Sequence, residues 1–412
     1  MSELINNRAH RIEALKHIIL DLHRGAAPHE VKARLKALVR ETDAIEIAAM
    51  EQSLIAEGVP VEEIRAMCNL HAEVFEELMT EPALPEIPPG HPVDTFRREN
   101  EAIGRAVAMM RAAMAEIRAG AEGEVLREAV GRWQQAANDL ADAEKHYARK
   151  ENLLFSKLEK YGITGPSKVM WAKDDDIRAL LKLLGRRLAE PELTPERLKE
   201  IADTAGDPAA AEIDGMIFKE ENILLPMALE TLTEEDWGAV WQDSPDYGWC
   251  LVEPRPGYEP PQPAGPPPAA EVAQDRALRF PTGNLTLEQL EGMFRALPVD
   301  LTFIDADDRV RYFSEGERIF TRSKAILGRK VQNCHPPKSV HMVEQIVSDF
   351  RSGRQDKAEF WIELQGKFIH IRYFAVRGAA GEYLGTLEVT QDLAPLRALS
   401  GERRLLEYAP AS

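Results

Sequence analysis

The chain has 412 residues, 44% of them hydrophobic, with 51 Lys and Arg against 69 Asp and Glu, a formal charge of −18 and only three Cys; that length predicts several domains with real cores. The acidity is uneven: residues 1–252 hold 30 basic and 47 acidic side chains, 253–284 hold 3 and 4, and 285–412 hold 18 and 18, so the first part is repelled by nucleic-acid phosphate and anionic lipid. Cys68, Cys250 and Cys334 are odd in number and far apart, which excludes a disulfide framework or a CxxC knuckle; with neither an apolar leader nor a membrane-length apolar run, a soluble cytoplasmic protein is expected.

Apolar residues first recur at helical spacing as Ile12, Leu15, Ile18, Ile19 and Leu22. Further helical pieces follow near 28–40, 42–56 and 60–79, and EPALPEIPPGHP closes the block. Residues 1–80 read as a helical domain. Within it, MCNLHAEVFEEL sets Cys68 and His71 on one helix face, a spacing suited to a metal or an axial haem ligand, although a small buried Cys in a core reads the same way.

Four longer helices are predicted over approximately 92–118, 124–160, 173–188 and 207–230, within a bundle domain at 88–250. The interior of such a bundle is a usual place for metal ligands. The run VEPRPGYEPPQPAGPPPAA follows, with eight of the 27 prolines between 254 and 268, and reads as a semi-rigid spacer over 251–284. Beyond it the period changes to two. DLTFIDADDRVRYFS reads as strand, turn and strand, and KAEFWIEL, KFIHIRYFAVR and EYLGTLEVTQDL as three more, with GAAGE as a hairpin turn. Helices between strands two and three, including VHMVEQIVSDF, make residues 285–398 a five-stranded antiparallel α+β domain, followed by a tail at 399–412.

Two phrases of the bundle share a core: HYARKENLLFSKLE around His146, and MIFKEENILLPMALE some 70 residues later. These phrases resemble the hemerythrin-like (HHE cation-binding) family, whose inner helices carry His-x-x-x-Glu-Glu and whose bundle holds two irons through His and carboxylates. Carried over by position, His146 matches a ligand His, but Lys150 stands at a ligand Glu, with Glu151 beside it. Asp174 in VMWAKDDDIR falls where the family has His, Met216 replaces another His, Glu220 keeps the carboxylate, and His91 is a looser match. The resemblance therefore implies a degenerate site of His91, His146, Glu151, Asp174 and Glu220. An ion pair of Lys150 with Asp174 and Glu220 is expected in place of a diiron centre, tolerable only if every partner is satisfied; a metal held by His91, His146, Glu151 and a neighbour is the alternative.

Residues 290–395 resemble a PAS domain, and the whole chain, including GRKVQNCHPPKSVH, is similar to the domain-of-unknown-function 438 family. A PAS resemblance implies a ligand cradle between sheet and helices, and dimerisation. His341 stands near the position of the proximal haem His in oxygen-sensing PAS domains, two residues earlier relative to Pro336. A helix-packing role for His341 and His335 is the simpler alternative, and Cys334 beside His335 is a candidate redox or metal group. The cofactor reading stays open among iron in the bundle, haem in the PAS domain and none.

No phosphate-binding Gly-rich loop, kinase signature or Ser-His-Asp order is found. The fold expected is therefore multi-domain, with all-α helical bundles (an N-terminal bundle and a hemerythrin-like four-helix bundle) followed by an α+β PAS domain. The expected function is a non-enzymatic sensor or regulator of oxygen, nitric oxide or redox state, acting on an unidentified signalling protein and as a homodimer through PAS. The alternatives are an iron-binding oxygen carrier or iron-centre repair protein, and a ligand-free interaction scaffold.

Overall fold

A computed structural model describes residues 86–261, 278–316 and 318–402, with positions 17, 21, 53, 54 and 59 before them. The helical domain read at 1–80, with Cys68 and His71, lies outside the described residues apart from those five positions, as does most of the proline run. The chain divides into two compact units, one helical and one with a sheet.

The helical unit opens with α1 (Pro92–Arg118), whose N-cap is His91 and whose first turn holds Pro92, where a missing N–H costs nothing. Phe96, Glu99, Ile103, Val107, Met110, Met114 and Ile117 form its buried stripe. The antiparallel α2 (Gly123–Ala141) packs on it through Ala129, Trp133, Ala136 and Leu140. The second predicted helix is broken at Asp142 and continues as α3 (Ala143–Arg149), a π-turn at Lys150–Leu154 and α4 (Phe155–Lys160). Helix α5 (Gly165–Leu188) starts eight residues before the predicted position, because Pro166 in its first turn starts a helix rather than stopping one.

The fourth predicted helix also begins earlier, at α6 (Pro195–Ile201) under a Thr194 cap. It runs through a π-turn at Ala202–Gly206, α7 (Asp207–Lys219), a π-turn at Glu220–Leu224 and α8 (Leu225–Thr231). Pro208 and Pro226 each follow a π-turn by two residues, where the widened ladder relieves the clash of a proline ring with the preceding turn. A short α9 (Glu234–Asp243) is capped by Thr233, which accepts from the Asp236 N–H. Residues 249–258, the end of the expected bundle and the start of the expected spacer, are tied to the bundle. Arg98 donates to the Glu253 carbonyl at 2.7 Å, Arg255 pairs with Asp94, and Tyr258 sits edge-on to His91.

In the second unit, β1 (Leu278–Phe280) and β2 (Gly283–Leu285) form a small hairpin, followed by α10 (Leu287–Ala296) under a Thr286/Gln289 capping box. Strands β3 (Asp300–Asp305) and β4 (Val310–Phe313) precede α11 (Pro337–Ser352), which opens four residues before His341. Three long strands follow, β5 (Lys357–Leu364), β6 (Lys367–Arg377) and β7 (Tyr383–Asp392), and then α12 (Ala394–Arg397). All five pair antiparallel in the order β4-β3-β7-β6-β5, leaving β4 and β5 at the edges. Gln365 and Gly366, both at positive φ, make the two-residue turn between β5 and β6.

Candidate functional site: a charged core in the helical bundle

Six ionisable side chains from five elements of the bundle meet where the core would otherwise be apolar. Glu99 comes from α1, His146 and Arg149 from α3, Lys150 from the first residue of its π-turn, Asp174 from α5 and Glu220 from the first residue of another π-turn. All are buried. The Asn two residues after each π-turn start repeats the same bond: Asn152 donates to the Ala148 carbonyl at 2.8 Å and Asn222 to the Phe218 carbonyl at 2.9 Å. The two similar sequence phrases thus have the same local backbone.

His146 lies between two carboxylates, with Nδ1 at 2.8 Å from Glu99 and Nε2 at 2.9 Å from Glu220. Only an imidazolium donates from both nitrogens. Burial opposes that charge, but Glu220 and Glu99 outweigh it and raise the pKa to about 8. Glu220 would be pushed up by burial, yet Lys150 and His146 hold it down at about 2. Lys150 donates to Asp174 at 2.8 Å and to Glu220. Burial works against its ammonium, and those two carboxylates reverse the effect and raise its pKa. Asp174 is itself raised, by burial and by Glu220, against the pull of Lys150.

Glu99 carries the network outward. One oxygen takes His146 and Arg149, and the other accepts the Cys250 backbone N–H at 2.8 Å. Arg149 stacks between the Phe96 and Trp249 rings, 5.0 and 4.7 Å from their centroids. Glu151 points to a second cation: Arg178 clamps both of its oxygens at 2.8 and 3.0 Å. With all groups ionised, Glu99, Glu151, Asp174 and Glu220 are formally balanced by His146, Arg149, Lys150 and Arg178.

The structure brings together His146, Lys150, Asp174 and Glu220 of the sequence candidates, with Glu151 alongside. His91 is elsewhere: its Nδ1 accepts the Val93 N–H at 3.1 Å, its ring rests on Trp237 and Tyr258, and burial lowers its pKa to about 4. Met216 is buried, and Cys250 is a buried thiol whose pKa burial pushes up. Cys334 ends a tight turn, Cys334 and His335 are half-buried, and His341 is exposed on α11. Glu99, Arg149 and Arg178 escaped the sequence reading. Glu99 had a signal: it sits at core spacing between Phe96 and Ile103, where a charge needs a partner.

The donors do not fit a metal pair. A ligating imidazole needs a free lone pair, and both nitrogens of His146 face carboxylates. The carboxylates able to bridge a cation, Asp174 and Glu220, already share the Lys150 ammonium. Among the described residues, no group of three or more His, Cys, Asp and Glu is arranged to hold a metal ion.

The model of the hemerythrin HHE cation binding domain matches residues 91–228, that of a PAS domain matches 290–394, and that of a family of unknown function, DUF438, matches 15–81. The chain joins a DUF438 segment to a hemerythrin HHE domain and a PAS domain. Among solved structures it is similar to a C-terminal domain from Streptococcus mutans, with 33% identity over 31% of this chain and 99% of that one, and a TM-score of 0.30. The PAS domain of a protein from Colwellia psychrerythraea is 17% identical over 26% of this chain and 98% of its own, with a TM-score of 0.22. A sensory box sensor histidine kinase from Vibrio cholerae is 11% identical over 25% and 87%, with a TM-score of 0.20. No curated protein matches. The pairing of hemerythrin and PAS domains in one chain supports a sensory or regulatory role. No helix among the described residues is long and apolar enough to cross a membrane.

Proposed function

We propose that this protein is a non-enzymatic cytoplasmic regulator that responds to oxygen, nitric oxide or redox state and signals through association of its PAS domain, with a hemerythrin-type bundle that keeps its shape without iron. The Lys150 ammonium between Asp174 and Glu220 carries this reading. A fixed cation in the core neutralises the carboxylates that a metal would otherwise bridge, and its buried partners make it costly to displace. The bundle then serves as a charged, rigid module, and the candidate sensing groups are left to the PAS domain, among them Cys334 and His335. The exposure of His341 speaks for a ligand other than haem at that position, since an axial His faces an apolar cavity.

Metal analysis and a visible spectrum of protein purified without oxygen test the proposal. The expected result is far less than one iron per chain in a fully folded protein. About two irons per chain, with charge-transfer bands, would refute the metal-free bundle in favour of an oxygen carrier or repair protein.

A further inference from the structure

Strand β5 is an edge strand that pairs only with β6 among the described residues, and its other side offers unpaired backbone groups along eight residues, KAEFWIEL. Natural edges are usually blunted by proline, a bulge, shortness or charged side chains. This one has none of the first three, and its charges, Lys357, Glu359 and Glu363, flank an apolar centre at Phe360, Trp361 and Ile362. Phe360, Trp361 and Ile362 are exposed at 40, 63 and 41%, on both faces of the strand, so a helix lying on one face would not cover them.

We infer that β5 pairs antiparallel with β5 of a second copy of this chain, in the register that sets Lys357 opposite Glu363. The inference rests on the reading that the PAS domain mediates association, and names the surface. A two-fold axis across an antiparallel pair requires one residue to face itself, and here that residue is Phe360. Lys357 then meets Glu363 twice, and Ala358 meets Ile362 twice. An aromatic pair at the centre and opposite charges at both ends are the cross-strand partners that stabilise a sheet. Centring on Trp361 instead sets Glu359 against Glu363, and centring on Glu359 sets that residue against itself, so like charges exclude both neighbouring registers. The lysine and the two glutamates thus select one alignment of an otherwise apolar strand.

Sedimentation of the full-length chain over a range of concentrations tests this. Wild type is expected to be dimeric. Lys357→Glu and Glu363→Lys each put like charges opposite at both ends and should weaken the dimer by about tenfold or more, and the double variant should restore it. Lys357 also contacts Glu359 on its own strand, 2.9 Å away, so rescue by the double variant separates pairing across the interface from damage within the strand. If both single variants dimerise like wild type, the β5 edge is wrong and PAS association stands on another surface, for example the exposed Leu287 and Met293 of α10. If the single variants and the double variant are all monomeric, the register is wrong. A wild type that is monomeric throughout removes the association reading together with the edge.

Discussion

His146 links protonation to folding, because its charge is supported only inside the bundle. Its pKa is 6.5 unfolded and about 8 folded. The stabilisation is therefore complete below pH 6.5 and is lost as pH rises through 8, a change of about 2 kcal/mol. Glu220 has the opposite sign. Its folded pKa of about 2 lies below the usual 4.5, so its contribution is present above pH 4.5 and disappears as pH falls toward 2. Buried His91, whose folded pKa is about 4, costs stability as pH falls below 6.5 because the unfolded chain takes up the proton first. Urea unfolding of the full chain, followed by the fluorescence of buried Trp133 and Trp237, should therefore give midpoints that fall on both sides of a maximum near pH 6.5. A flat response from pH 6.5 to 8 would mean that His146 is not charged. Lys150→Met removes the cation shared by Asp174 and Glu220, leaving Asp174 uncompensated while Glu220 keeps His146, and should cost about 3–5 kcal/mol. Adding Asp174→Asn should recover part of that loss, since one orphaned carboxylate is removed; the same unfolding measurement reads both.

At the scale of elements, the helices were legible wherever apolar spacing ran unbroken, as in α1, whose bounds match the expectation. The π-turns were not, because an extra residue in a turn leaves no mark on composition and only shifts which side chains face inward. That shift bears on the site: both Lys150 and Glu220 open a π-turn. The tie of residues 249–258 to the bundle was also hidden, since prolines suggest a spacer whether or not the chain before them is docked. This segment approaches α1 closely at Gly90, which has φ +81° and where a Cβ would lie 2.0 Å from the Arg255 carbonyl oxygen. Gly90→Ala is expected to destabilise the bundle by about 1–3 kcal/mol and to expose the chain at Tyr258 to chymotrypsin. Unchanged cleavage there would count against a docked segment.

For the whole molecule, the change of hydrophobic period from 3.6 to 2 across the proline run separated the two architectures correctly, and each strand of the sheet was visible as an alternating or apolar run bounded by turn residues. The candidate site was partly legible. His146, Lys150, Asp174 and Glu220 were found because two phrases resemble each other, whereas Glu99, Arg149 and Arg178 belong to the site only through tertiary contacts. A ligand that binds only the folded state raises its melting temperature. The melting temperature of the full chain should therefore be the same in chelator, in buffer and in excess ferrous ion under anaerobic conditions. A rise of several degrees with iron would show that the carboxylates can be taken from Lys150.

Lys150 is a counter-ion made during translation. A bundle that depends on iron must wait for delivery and changes character when the cell is starved of it, whereas the proposed ion-paired bundle would be complete as soon as the chain has folded. On the proposed metal-free reading, its shape is independent of metal supply.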